Sequence, residues 1–275
     1  KKKPPLINFD KKELEHAKKI CEIFKIKEND KIICAAARTS KYKKENFISP
    51  GNGDILTYLS AFEFLIKNNY KVILMGDPYD NLPEDLDQNI IKYSNSEYKN
   101  DMLDFYFVSR CDFLIQTVSG IGEIAAMMKK PRLIVNFWML ENLITFEEYC
   151  VPLIMPKKLM SLKTKKMVHY LDQPKLDFTV IGMSKKVNEK GYEIIDNTPE
   201  EILAAVKEMT ELRSSGYSYS TNKNQKFWSE FNKIFSNKDD IFFSNKKIKH
   251  YICSDRINKI KIPRIFYNEN ISLFE

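Results

Sequence analysis

The chain has 275 residues, of which 43% are hydrophobic and 12% aromatic, so it can bury a sizeable core and is not disordered throughout. Its 44 basic and 37 acidic residues give a net charge of +7. The lysines are interleaved with acidic residues from end to end, and no zinc-finger or RNP motif occurs, so we expect no nucleic-acid partner. With only eight glycines, a collagen-like chain is also excluded.

The cysteines and the first residues of the sequence both bear on the cellular compartment. The five cysteines are odd in number and none is spaced as CxxC: Cys21, Cys34, Cys111, Cys150 and Cys253. We therefore expect no disulfide framework, no zinc site and a cytoplasmic location. No run of about 18 apolar residues occurs, and residues 1–5 lack the apolar centre of a signal peptide. The first residue is not Met, so we expect a fragment of a longer chain.

Helical and strand-like segments alternate through the first half of the chain. The predicted helices cover residues 10–25, 55–67, 102–108 and 122–129, with Asp10 and Asp101 as caps of the first and third. The predicted strands cover residues 31–37, 71–75, 112–116 and 131–136, and a short third strand begins at 90–91 and ends near 93–94. Because the first run, 31–37, is continuously apolar rather than alternating, that strand should be covered on both faces. The alternation predicts an α/β fold, a Rossmann-like parallel sheet flanked by helices.

The second half of the chain is less regular. Residues 137–170 read as a long excursion with a short strand near 153–155. A helix is predicted over 199–209, because Thr198 can cap it, Pro199 suits its first position and acidic residues fill its first turn. A last helix is predicted near 222–235, with Phe227, Trp228, Phe231 and Ile234 facing inward. The Lys- and Asn-rich remainder gives no clear prediction.

Two segments that follow predicted strands carry the candidate chemistry, because ligands of open parallel sheets bind beyond the carboxyl ends of the strands. Arg38 follows the first strand, and its guanidinium suits phosphate oxygens. The segment 117–123 leads from the fourth strand into a helix, where Gly120 and Gly122 allow a tight turn and the free N–H groups can receive a phosphate. Thr117 and Ser119 add hydroxyl donors. The plainer alternatives are a surface ion pair for Arg38 and an ordinary turn for the Ser-Gly segment.

Further residues would line the same crevice. Glu123 either complements the helix dipole or accepts hydrogen bonds from a sugar or ribose hydroxyl. Gly76, Ser94 and Asn136 follow the second, third and fifth strands, although each alone reads more simply as a turn residue. The three histidines are far apart and no HExxH or other metal-ligand spacing occurs, so we expect no protein-held metal and no cofactor.

Several motifs, taken in order, resemble a family of bacterial glycosyltransferases encoded among genes for surface polysaccharide synthesis. Ile32–Tyr42 resembles the family strand that ends in Arg-x-x-x-Tyr, and Phe113–Gly120 resembles Phe-x-Ile-Gly-Thr-x-Ser-Gly. The other similar stretches are Tyr70–Gly76, Ile90–Ser94, Asp101–Cys111, Asn197–Met209 and, loosely, Pro263–Asn270. Together the similar stretches cover most of residues 10–275.

The resemblance implies the donor-binding half of a two-domain, GT-B-like transferase that needs no bound metal. Arg38 would neutralise the leaving group, and Ser119, Gly120, Ile121 and Gly122 would hold the pyrophosphate of a nucleotide sugar, with Tyr42 beside them. The acceptor would be an envelope glycan or a lipid-linked glycan, and the basic charge would favour a peripheral position at the inner membrane. The chain would divide into a helix and linker (1–30), a nucleotide-sugar-binding domain (31–213) and a helix with extension (214–275).

Three departures from the family pattern leave alternatives open. Ala36 stands where His is frequent, Leu74 where Arg is frequent and Gln116 where Gly is frequent. The departures at Ala36 and Leu74 favour a second hypothesis, a nucleotide-sugar-binding module without transferase chemistry. Residues 1–30 supply one helix and cannot form an acceptor-binding domain, which we expect to be absent from this chain. A nucleotide-dependent oxidoreductase is weakened because no GxGxxG follows the first strand.

Overall fold

A computed structural model describes residues 7–39, 49–140, 152–176, 178, 184–215, 222–236, 241–243, 246–248 and 261–275. Six strands form one parallel sheet: β1 (Lys31–Ala36), β2 (Tyr70–Leu74), β3 (Ile90–Ile91), β4 (Phe113–Gln116), β5 (Arg132–Phe137) and β6 (Leu153–Pro156). Their order is β3-β2-β1-β4-β5-β6. The chain therefore has the Rossmann-like α/β fold that the sequence predicted, and the strand order reverses between β1 and β4.

Helices cover both faces of the sheet. They are α1 (Lys11–Ile23), α2 (Leu59–Lys67), α3 (Asp101–Arg110), α4 (Gly120–Met127), α5 (Ser184–Glu189), α6 (Pro199–Ser215), α7 (Asn222–Ser236) and α8 (Arg264–Glu269). One core layer joins the sheet to α2, α6, α7 and α8, and the other joins it to α1, α3 and α4. In β1, β2 and β4, successive apolar residues supply the two layers alternately, which explains the continuous apolar run of β1. The apolar residues of β5 and β6 all join the first layer.

The predicted helices are present, with one error at a cap. Asp10 caps α1 in a capping box with Glu13, as expected. The cap of α3 is Asn100 rather than Asp101, because the Asn100 side chain accepts from Leu103 N at 3.0 Å and Asp101 is the first helical residue. Neighbouring Asn and Asp can both serve as caps, so the sequence alone did not separate them.

The second half of the chain contains structure that the sequence did not reveal. The predicted strand near 153–155 is β6, which pairs with β5 and extends the main sheet. Beyond it, β7 (Lys158–Ser161) and β8 (Tyr192–Ile195) form an antiparallel pair. A second antiparallel pair consists of β9 (Ile241–Phe243) and β10 (Lys246–Ile248). Residues 261–275 return to the main core, where Ile262, Phe266 and Phe274 are buried.

Candidate functional site

The candidate site lies at the carboxyl ends of β1 and β4, where the strand order reverses. A crevice forms at such a point because the connections from the two neighbouring strands run in opposite directions. Arg38 follows β1 and Thr117 follows β4, and the backbone N–H of Arg38 donates to Thr117 Oγ1 at 2.8 Å. The two segments singled out in the sequence are therefore adjacent.

Thr117 connects these segments rather than facing the crevice. It is fully buried, and its hydroxyl oxygen accepts from the Arg38 backbone. The Thr117 hydroxyl, which the sequence suggested as a donor to a ligand, therefore acts as an acceptor that fixes the position of Arg38. The Arg38 side chain is half-buried, so it is held at the edge of the protein interior.

Helix α4 presents its N-terminus at the same edge. Ser119 occupies the N-cap with extended backbone angles, φ −154° and ψ 165°. The first N–H groups of a helix have no partners within the helix and carry its positive dipole end, so they form a ready anion-binding position. Gly120 is exposed, and a Cβ built there would meet no atom within 4 Å. Ile121 contributes only its backbone, because its side chain packs in the core.

Gly122 is needed for a reason other than the tight turn that we expected. It is buried within α4, and a Cβ there would lie 2.1 Å from Gln116 Nε2 and 2.8 Å from Gln116 Cδ. The buried Gln116 side chain thus occupies the space beside Gly122. The Ser119 hydroxyl donates to Gln116 Oε1 at 3.1 Å, so its hydrogen is engaged inside the protein and its oxygen is left as an acceptor.

We expect Gly122→Ala and Gly120→Ala to differ in stability although the two glycines are two residues apart. The new methyl at 122 must displace the Gln116 amide, so we expect a loss of about 1–2 kcal/mol in the free energy of unfolding. The methyl at 120 meets open space, so the free energy of unfolding of Gly120→Ala should equal that of the parent or be higher by up to about 1 kcal/mol. Urea denaturation measures both, and Gln116→Ala should relieve the loss caused by Gly122→Ala. Equal losses at 120 and 122 would contradict this packing.

Gly76, another predicted position, lies beside a buried tyrosine. Gly76 follows β2 with φ +89°, a conformation that favours glycine. Tyr79 occupies the adjoining space: its hydroxyl accepts from Ala37 N at 2.9 Å and donates to Met75 O at 2.8 Å. Burial raises the pKa of Tyr79 to about 12, opposed by the Ala37 hydrogen bond, so the phenol stays neutral and ties the ends of β1 and β2 together.

Ser94 is remote from the Arg38 segment. It follows β3, which is two strands from β1 in the sheet, so about 10 Å separates the two strands. Its side chain is buried and donates to Asn95 Oδ1 at 3.0 Å. Glu123 lies in the first turn of α4 and is exposed to solvent, whereas Tyr42 lies outside the described residues.

The loop 49–54 lies against the crevice, which the sequence did not reveal. Gly53 N donates to Arg38 O at 3.0 Å. A Cβ on Gly53 would lie 2.7 Å from Thr117 Cγ2 and 3.3 Å from Asn136 Nδ2, so only glycine lets the loop come this close. Asn136 itself is buried: its backbone N–H donates to Asn197 Oδ1 at 2.6 Å, and its Oδ1 accepts from Asn197 N at 2.7 Å. Gly53 falls in a segment without predicted structure, and no local sequence pattern indicates that it contacts Thr117 and Asn136.

A buried lysine follows β6 at the same edge. The Lys157 side chain is 4% exposed, and its ammonium contacts Asp196 Oδ1 at 2.6 Å and Asn52 O at 2.8 Å. Burial lowers the pKa of Lys157, and the Asp196 carboxylate opposes that shift. In a chain with many lysines, nothing in the sequence distinguishes this one.

Within the described ranges, no group of three or more His, Cys, Asp and Glu side chains is arranged to hold a metal ion. In that same part of the chain, no helix is both long enough and apolar enough to cross a bilayer.

No known protein-family model matches the sequence, and no curated protein matches it significantly. Among solved structures, a glycosyl transferase of family 9 from Veillonella parvula is 12% identical with a TM-score of 0.39, over 54% of this chain and 42% of that one. The wall teichoic acid polymerase TagF is 12% identical with a TM-score of 0.39, over 95% of this chain and 49% of that one. The chain thus spans less than half the length of either protein. At TM-scores this low, the likenesses carry no argument about what the chain does.

Proposed function

We propose that this chain is the donor-binding half of a glycosyltransferase that uses a nucleotide sugar. The observation that supports the proposal is the adjacency of two anion-binding elements at one crevice. The Arg38 backbone is bonded to Thr117 at 2.8 Å, and Thr117 is two residues from Ser119, the N-cap of α4. A guanidinium and the first N–H groups of a helix both prefer phosphate oxygens.

The same elements supply the chemistry of transfer. When the acceptor hydroxyl passes its proton to a base on the acceptor side and its oxygen bonds to the anomeric carbon, the bond from that carbon to the donor's diphosphate breaks, and the diphosphate oxygen takes the electron pair. Arg38 and the N–H groups of Gly120 and Ile121 would stabilise the added charge. Fixed positive charge placed where negative charge develops is a large catalytic contribution. In this proposal the transfer needs no protein-held metal.

In this proposal the acceptor does not bind to this chain. We propose an envelope glycan or a lipid-linked glycan as acceptor, bound by a separate domain. The net charge of +7 would favour a cytoplasmic position close to an anionic membrane surface.

A nucleotide-sugar-binding module without transfer chemistry is the second candidate. Two observations favour it: the Ser119 hydroxyl is engaged by Gln116, and Ala36 and Leu74, which replace frequent basic residues of the resembled family, are buried in the core. Sugar transfer by a longer protein that contains this chain would exclude the module.

Isothermal titration in the presence of EDTA tests the proposal. The titrants are free nucleoside diphosphates, nucleotide sugars and, for contrast, nucleosides without phosphate. The proposal predicts binding of at least one diphosphate and no measurable binding of the matching nucleoside. If no diphosphate in the panel binds, the chain is not a donor-binding domain.

A further inference from the structure

A second cleft adjoins the crevice on the side of β6. It has a volume of about 420 Å³, within the roughly 300–1,000 Å³ of small-ligand sites. One wall is the loop 49–54, and the other is formed by Lys157, α5 and β8. The polar residues of its lining include Asn52, Asp54, Lys157, Asn188, Glu193 and Asp196.

The lining offers hydrogen-bond donors and acceptors side by side. Lys157 contributes an ammonium with three N–H groups, and Asp196 and Asn52 O are its two contacts. Asn52 and Asn188 carry amides that both donate and accept. Asp54 and Glu193 are exposed carboxylates that accept only. A hydroxyl group, which donates and accepts, matches this mixture.

One atom of the lining is left with an unmade hydrogen bond. Asn52 Oδ1 is buried and has no hydrogen-bond partner within the described part of the chain. A buried polar atom without a partner is unfavourable, and a turn of the Asn52 side chain toward the cleft would let a ligand donor relieve that cost. The Lys157 side chain, more than nine-tenths buried, supplies a fixed donor on the same wall.

The charges of the lining separate the possible ligands. Three carboxylates surround one ammonium, so a phosphate would be repelled. A metal cation is not favoured either, because within the described residues no group of three or more His, Cys, Asp and Glu side chains is arranged to hold one, and Asp196 is already paired with Lys157. A neutral polyhydroxyl group avoids both conflicts.

The geometry points to this cleft as a subsite for a neutral sugar or polyol, extending the proposed function next to the phosphate-binding elements. The loop 49–54 connects the two places: Gly53 N donates to Arg38 O at 3.0 Å, and a Cβ on Gly51 would lie 3.8 Å from Arg38 Nη1. A ligand with a diphosphate at Arg38 could therefore place its glycosyl or polyol part in the cleft.

Saturation-transfer NMR on the full chain tests the subsite without any nucleotide. The probes are glucose, N-acetylglucosamine and glycerol, with inorganic phosphate and spermidine as an anion and a cation for contrast. We expect saturation transfer to at least one neutral probe, with affinity lowered about fivefold or more in Glu193→Gln and Asn52→Ala. The control Glu22→Gln, an exposed residue of α1, should leave the affinity unchanged.

The outcomes separate the subsite from the proposed function. Absence of transfer to every neutral probe, or equal losses in Glu193→Gln and Glu22→Gln, would overturn the subsite even if nucleoside diphosphates bind. Spermidine binding that depends on Glu193 while neutral probes fail would replace the subsite with an amine site. Neutral-probe binding that depends on Glu193 supports the subsite even if no nucleoside diphosphate binds, and in that case only the donor-binding proposal fails. Circular dichroism checks that each variant is folded.

Discussion

Replacing Arg38 by Ala is expected to weaken the binding of a nucleoside diphosphate by about 30–100-fold, close to 2–3 kcal/mol. The guanidinium can form two charge-assisted hydrogen bonds to phosphate oxygens, and each is stronger than a neutral hydrogen bond. Arg38→Lys should recover only part of the affinity, because an ammonium lacks the planar pair of donors. Isothermal titration provides the affinities.

Arg213→Ala is the matched control for Arg38→Ala. Arg213 is an exposed arginine near the end of α6, so its removal changes the net charge equally without touching the crevice. The affinity of this variant for the nucleoside diphosphate should stay within about twofold of the parent's at moderate salt, because exposed charges beyond a Debye length are screened. Equal losses in the two variants would mean that Arg38 acts through net charge alone.

Replacing Glu201 by Ala is expected to lower the free energy of unfolding by about 3–5 kcal/mol. Glu201 Oε1 pairs with Lys158 Nζ at 2.6 Å, and the two side chains are 9% and 10% exposed. The same carboxylate accepts from Thr198 N at 2.9 Å and from Asn270 Nδ2 at 3.2 Å. Its removal leaves a buried ammonium without its charge partner, a costly defect in a protein interior.

Urea denaturation of three variants separates the buried pair from a general helix effect. Glu200→Ala, at an exposed neighbouring position, should cost at most about 1 kcal/mol through the helix dipole. Lys158→Met combined with Glu201→Leu should restore much of the stability, because an apolar pair can replace a buried ion pair. A loss in Glu201→Ala no larger than that in Glu200→Ala would show that the ion pair is not stabilising as a unit.

The sheet could be predicted because each strand and helix is indicated by residues within its own short segment. Continuous apolar runs such as Ile32–Ala37 mark strands covered on both faces, and the helices between them carry caps and apolar faces. Arg38 and the segment 117–123 could be singled out for the same reason, since each directly follows a strand. The parallel order then brings them to one edge.

Other parts of the site depend on contacts between distant residues. That Gly122 is needed for the Gln116 side chain, and Gly53 for the approach to Thr117, follows only from the packed structure. The Lys157–Asp196 pair joins residues 39 positions apart in two short segments without clear periodicity. The return of residues 261–275 to the core likewise depends on long-range contacts, such as that of Asn270 with Glu201.

We propose that Arg38 and the N-terminus of α4 hold a single diphosphate. Amide NMR spectra recorded during titration with a nucleoside diphosphate in EDTA test it most directly. We expect the largest, saturable shifts on the N–H groups of Gly120 and Ile121 and on the Arg38 guanidinium. Shifts concentrated instead at the far edge of the sheet, around Pro83–Ile90, with Gly120 and Arg38 unchanged, would contradict it.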